Sequence, residues 1–130
     1  MTLKIFIVDD SIPIVMRLFN ILSEIESIKI IGIANSASKA LEYIDKSNPD
    51  VVILDIHMPD GNGIDILKQL KKEKPSTKIL ILTNYSESDY KNICMKEGAD
   101  YFLDKSIEFE KVLDICKDLA LQMYKSNKNK

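Results

Sequence analysis

The run Leu3-Lys4-Ile5-Phe6-Ile7-Val8-Asp9-Asp10-Ser11-Ile12-Pro13-Ile14 decides the fold. A stretch of nearly unbroken Leu, Ile, Phe and Val character stops at two aspartates, and a helical signal begins at once. Near-continuous apolarity marks a strand covered on both faces, as in a parallel sheet. Ser11 can cap the helix that follows, and Pro13 suits its first turn, where the missing N–H has no helical partner. Ile14, Leu18, Ile21, Leu22 and Ile25 then recur on one stripe of a helix spanning Ser11–Ile25.

The alternation continues along the chain. Strands read at Ile28–Ala34, Val51–Leu54 and Ile79–Leu82, with a weaker fifth at Tyr101–Leu103. Amphipathic helices read at Ser36–Lys46, Ile64–Lys72, Glu87–Glu97 and Glu108–Tyr124. Pro75 lies beyond the third helix, and Gly98 stands where a left-handed cap would end the fourth. Five strands alternating with five helices imply an α/β fold, a doubly wound parallel sheet with right-handed crossovers and helices on both faces. One domain covers residues 1–124, and the polar segment 125–130 reads as a frayed tail.

Composition narrows the function classes. The 130 residues are 45% hydrophobic and 29% charged, which excludes collagen-like, disordered and low-complexity chains. A formal charge of −2 offers no basic field for nucleic acid or an anionic membrane. Cys94 and Cys116 are too far apart for a redox or zinc pair and read as buried thiols of a cytoplasmic protein. No apolar run reaches the ~18–20 residues of a membrane helix, and the start lacks a signal-peptide profile.

Acidic residues collect where strands end. Asp9 and Asp10 close the first apolar run, and Asp55 closes the third. In open α/β sheets ligands bind beyond the carboxyl ends of strands, where strand order reverses. With the order 2-1-3-4-5, the three carboxylates converge, repel and invite a cation. Oxygen-only ligands favour a hard ion, Mg²⁺ before Ca²⁺. Thr83 and Lys105 follow the fourth and fifth runs and project from the same edge, giving a hydroxyl and an ammonium for a tetrahedral dianion. Each has a plainer reading: the aspartates as caps, Thr83 as a backbone partner, Lys105 as a solvated charge.

Taken together, the segments Ile7-Val8-Asp9-Asp10-Ser11, Val51 through Asp55-Ile56-His57-Met58-Pro59-Asp60-Gly61-Asn62-Gly63, Ile81-Leu82-Thr83 and Gly98-Ala99-Asp100-Tyr101-Phe102-Leu103-Asp104-Lys105 resemble the receiver domain of two-component response regulators. The likeness is to single-domain, chemotaxis-regulator-like members with the flavodoxin-like fold, and it covers essentially the whole chain. It implies that Asp55 accepts a phosphoryl group from a sensor histidine kinase or a histidine phosphotransfer protein. It further implies Mg²⁺ held by Asp9, Asp10, Asp55 and the backbone carbonyl of His57. Lys105 would bind a phosphoryl oxygen, and Thr83 would shift toward the new phosphate, coupled to the switch aromatic Phe102. Tyr101 would point to the other side of the strand. His57 and Tyr85 would modulate phosphate lifetime by governing water access. Many receivers follow the lysine with a cis proline; here Ser106 stands there, either leaving the bond geometry open or capping the last helix.

The first helix also carries Ile12, Val15, Met16 and Phe19 beside its core stripe. They either pack on neighbouring elements or form a docking face for the phosphodonor. Helix 4, strand 5 and helix 5 would form the output face. At this length no helix-turn-helix or catalytic output domain fits, so a stand-alone module is expected, signalling through protein contacts or onward relay, as a monomer or a phosphorylation-driven dimer. Such a module is not a turnover enzyme. A small Mg²⁺-dependent phosphatase would use similar acids in an Asp-x-Asp design. A mononucleotide-binding domain would need a glycine cradle that the loop after the first strand lacks.

Overall fold

The computed structural model describes residues 2–128. Its strands are β1 (Leu3–Val8), β2 (Ile28–Ala34), β3 (Val51–Leu54), β4 (His57–Met58), β5 (Gly61–Asn62), β6 (Lys78–Thr83) and β7 (Tyr101–Asp104). The helices are α1 (Ile12–Leu22), α2 (Ala37–Ser47), α3 (Gly63–Glu73), α4 (Ser88–Lys96) and α5 (Lys111–Lys128). The parallel sheet runs β2-β1-β3-β6-β7, which is the expected 2-1-3-4-5 order. β4 and β5 form a separate antiparallel ribbon directly after the third strand.

Alternation along each strand divides the core. Phe6, Val8, Val52, Leu54, Ile79 and Ile81 face α2, α3 and α4, meeting Ile44, Leu67, Leu70 and Cys94. Ile5, Ile7, Val51, Ile53, Leu80 and Leu82 face α1 and α5, meeting Leu18, Leu22, Val112 and Cys116. Both faces of the central strands are covered, which is why their sequences are apolar without a break. Phe102 is buried on the first side, and Tyr101 packs against the second, as alternation requires. Both cysteines are free and buried.

Boundaries differ from expectation at three places. α1 stops at Leu22, where Ser23 closes the helix by donating its amide to the Phe19 carbonyl at 2.9 Å. Ile25 follows in a turn and still packs on the core. α5 begins at Lys111 rather than Glu108, because Phe109 is buried from a turn that precedes the helix. Ser106 therefore does not cap α5, and the Lys105–Ser106 bond is trans, since the described residues include no cis peptide. The expected tail instead continues α5 through Lys128, and residues 129–130 lie outside the described residues.

The end of the sheet away from the aspartates is tied down by charge. Lys71 on α3 donates to Asp100 Oδ2 at 2.8 Å and to the Thr77 carbonyl at 3.0 Å. The same Asp100 oxygen accepts the Ile79 amide at 2.8 Å, locking the starts of β6 and β7 together. Gly98, at φ 102, closes α4 directly against the Lys71 stem. Its amide bonds to the Met95 carbonyl and that of Ala99 to the Cys94 carbonyl, so the helix ends in a Schellman motif.

Candidate functional site

β1, β3, β6 and β7 are neighbours in the sheet, so their carboxyl ends form one rim. The hydrogen-bond ladder runs one residue beyond the strands. The Asp9 amide donates to the Ala34 carbonyl, that of Asp55 to the Val8 carbonyl, and that of Lys105 to the Thr83 carbonyl, at 2.9–3.0 Å. Backbone pairing thus fixes these residues before their side chains meet. Asp9, Asp55, Thr83 and Lys105 are all buried, while Asp10 is exposed.

The Lys105 ammonium lies 2.8 Å from Asp9 Oδ2 and 2.8 Å from Asp55 Oδ2. The other Asp55 oxygen accepts from the Thr83 hydroxyl at 2.9 Å and from the His57 amide at 3.1 Å. Thr83 Oγ1 in turn accepts the Tyr85 amide at 3.1 Å. Asp9 Oδ1 accepts the Ser11 amide at 2.8 Å. The Thr83 hydroxyl thus rests directly on the Asp55 carboxylate.

Carboxylate oxygens of Asp9, Asp10 and Asp55 lie within 4.8 Å of one another. At that spacing a pair of carboxylates repels by about 3–4 kcal/mol with an effective dielectric near 20. Lys105 supplies one positive charge against three negative ones. Burial pushes the Asp9 carboxyl above its ordinary range, against the lowering effect of the Lys105 and Ser11 hydrogen bonds. Burial also disfavours the Lys105 ammonium, but hydrogen bonds and charge from Asp55 and Asp9 outweigh it and hold the pKa above the usual lysine value. An all-oxygen donor set carrying uncompensated negative charge fits a hard divalent cation.

The sequence model of the response regulator receiver domain matches residues 5–117. The chain belongs to that family. Among curated relatives, the DNA-binding transcriptional activator DevR/DosR of Mycobacterium tuberculosis is 30% identical over 117 residues, covering 90% of this chain and 54% of that protein. A protein-glutamate methylesterase/protein-glutamine glutaminase of Idiomarina loihiensis is 36% identical over 110 residues, 83% of this chain and 28% of that protein. The chain thus spans about half, or less, of the length of the curated relatives it matches. The response regulator domain of Thermotoga maritima CheB superposes with a TM-score of 0.80 at 27% identity, covering 94% of this chain and 96% of that one. A CheY-like receiver domain protein from Methanospirillum hungatei gives 0.83 at 25% identity, covering 97% and 99%.

In this receiver domain the loop after Asp55 is held from two sides. A Cβ on Gly63 would lie 2.4 Å from the Asp55 carbonyl oxygen and 2.5 Å from Ile56 Cα, so only glycine lets α3 start against the end of β3. Asp60 accepts the Ala37 amide at 2.7 Å, the Ser38 amide at 3.3 Å and the Ser38 hydroxyl at 3.1 Å, tying the ribbon to the start of α2. Nothing in the spacing of Pro59-Asp60-Gly61 reveals this tether, whose partners lie 23 and 22 positions away.

The His57 and Tyr85 rings meet at the mouth, with centroids 4.8 Å apart and planes tilted by 34°. Tyr90 adds an edge contact to Tyr85 at 6.0 Å. Of the α1 residues, Ile12, Met16 and Phe19 are exposed at 71%, 60% and 47%. Val15 is partly buried: it packs against the core and also lines the cleft beside Ile12 and Met16. No helix among the described residues is long and apolar enough to cross a membrane.

Lys105→Met tests the charge arrangement. Removing one partner of a buried ion cluster leaves carboxylates uncompensated and lowers unfolding free energy by about 3–5 kcal/mol near neutral pH. The raised Asp9 pKa sets the sign with pH. The folded state holds a proton that the unfolded chain has released, so this carboxyl weakens the fold as pH rises from its unfolded through its folded pKa. Urea unfolding of the variant therefore shows a deficit that shrinks on acidification toward about pH 4–5, near the ordinary Asp range. A deficit equal at both pH values contradicts the arrangement.

Proposed function

We propose that this receiver domain accepts a phosphoryl group on Asp55 from the phosphohistidine of a sensor histidine kinase or a histidine phosphotransfer protein. The observation that carries this reading is the Asp55 carboxylate itself. It is buried at the rim, with Lys105 and Thr83 on its two oxygens and two further carboxylates alongside. An Asp55 oxygen forms the new P–O bond as the P–N bond to the partner's imidazole breaks. Asp9, Asp10, Asp55 and the His57 backbone carbonyl would hold Mg²⁺, which would supply charge neutralisation between an anionic nucleophile and an anionic phosphoryl group. Lys105 and Thr83, already at the carboxylate, donate to phosphoryl oxygens in charge-assisted hydrogen bonds.

The consequence is a shift in populations rather than new chemistry. Thr83 and Phe102 form the switch, and α4, β7 and α5 form the output face. Phe102 has no hydroxyl, so it reports the change through burial alone. Signals leave through protein contacts or onward relay, in the cytoplasm, and the acyl phosphate is lost slowly by hydrolysis. The domain is not a turnover enzyme. The stacked His57 and Tyr85 rings limit water at the mouth and lengthen that lifetime.

Ile12, Val15, Met16 and Phe19 form the docking face for the phosphodonor. Supporting this, a cleft of about 380 Å³ runs from Asp9 and Asp10 past Ile12, Val15 and Met16 to Ile33 and Tyr43. The apolar surface is therefore continuous with the acceptor site.

Acetyl phosphate with Mg²⁺ adds one phosphoryl group to the wild-type chain by intact mass, and Asp55→Asn adds none. A wild type that gains nothing, or an equal gain in Asp55→Asn, contradicts the assignment. Chasing the labelled protein, Tyr85→Ala loses phosphate several-fold faster; equal lifetimes remove the shielding role. Transfer from a phosphorylated histidine phosphotransfer protein slows roughly tenfold or more in Met16→Glu, as expected for a charge placed in an apolar contact. Labelling of Met16→Glu by acetyl phosphate is unaffected. Unchanged protein-to-protein transfer defeats the docking face.

A further inference from the structure

Beyond the rung where the Lys105 amide meets the Thr83 carbonyl, β6 and β7 diverge into the loops leading to α4 and α5. Thr83 and Lys105, the two side chains on the oxygens of Asp55, sit at that divergence. Loops that leave a sheet lose the ladder that kept them in register. Here a side chain supplies a further rung. Asp104 Oδ2 accepts the Ser86 hydroxyl, joining the two loops. Asp104 Oδ1 accepts the Ser106 amide at 2.7 Å. The Asp104 amide donates to Glu108 Oε1 at 3.1 Å, and the Glu108 amide donates back to the Asp104 carbonyl at 2.8 Å. Both carboxylate oxygens and both backbone groups of this one residue are committed to the loops around Lys105.

The local sequence explains the need. Ser106 follows Lys105 through a trans bond and has no ring to fix its backbone. An Asx turn from Asp104 to the amide two positions on fixes that segment by hydrogen bonding instead. On the other loop, Ser86 follows Tyr85, whose amide holds Thr83 Oγ1 and whose ring lies on His57. Pinning Ser86 therefore restricts where Thr83 and Tyr85 can move. The hydrogen bonds from Ser86 and Ser106 hold the Asp104 carboxyl below the usual carboxylate range, so it stays an acceptor at neutral pH. Lys105 meanwhile directs its ammonium to Asp9 and Asp55.

We propose that Asp104, clasped to Ser86, is a positioning residue that sets Thr83 and Lys105 in register for phosphoryl acceptance by Asp55. The clasp touches no reacting atom. It acts by holding the loops that carry those which do, and small displacements of such groups are costly in rate. The proposal rests on the reading of Asp55 as acceptor.

The test is the rate of phosphoryl uptake by the full chain from acetyl phosphate with Mg²⁺. Ser86→Ala and Asp104→Ala each slow uptake by roughly three- to tenfold, the cost of a loosened but present constellation. Ser86→Thr, which keeps the hydroxyl, restores the rate to within about twofold, and Ser86→Ala/Asp104→Ala is no slower than Asp104→Ala alone, as for two ends of one contact. Mg²⁺ affinity of Ser86→Ala matches wild type, because Asp9, Asp10 and Asp55 lie on other strand ends. A general loss of structure would lower affinity and rate together. Unchanged uptake in Ser86→Ala, multiplied effects in the double variant, or a parallel fall in Mg²⁺ affinity overturns the clasp. A wild type that takes up no phosphoryl group overturns the acceptor reading as well, so the two failures are distinct.

Discussion

One ammonium group holds this site in its folded form. Lys105 Nζ touches Asp9 and Asp55 at equal distance, from a buried position, and no other cation touches either carboxylate among the described residues. With Asp10 counted, the rim keeps excess negative charge after that contact. The excess is incompletely screened, because three of the four groups are buried and water is largely excluded. This imbalance is what fits the site to a divalent cation, and it is the physical basis of the proposed acceptor role of Asp55.

The imbalance is possible because the rest of the fold is rigid. Asp9, Asp55 and Lys105 inherit their positions from ladder hydrogen bonds that continue past the strands, so repulsion cannot relax by moving backbone. Gly63 brings α3 directly against the acceptor strand, and Asp60 ties the intervening ribbon to α2. At the opposite end, the Lys71–Asp100 pair fixes the starts of β6 and β7, the strands that present Thr83 and Lys105.

The architecture and the convergence of Asp9, Asp10, Asp55, Thr83 and Lys105 were legible in the sequence because both obey strong local rules. Apolar runs with the breadth of buried strands, each ending in a polar residue, place Asp9, Asp55 and Thr83 on one edge once the strand order is assumed. What escaped was set by tertiary contact. α5 starts late because Phe109 is drawn into the core from a turn, and the β4–β5 ribbon is too short to leave a periodic signal. For the α1 stripe, sequence leaves core packing and docking both open, and Val15 packs on the core while lining the cleft beside Ile12. Asp60, Asp100 and Asp104 look like ordinary turn or strand-end acids, and their roles depend on partners 18 to 29 positions away.

The most direct measurement of the central claim is a calorimetric titration of the purified chain with Mg²⁺ at neutral pH. A single binding event, lost when Asp9 is replaced by Asn, is the result this charge balance requires. Absence of any Mg²⁺ binding up to tens of millimolar, a concentration at which weak extracellular-type sites are already filled, would contradict it.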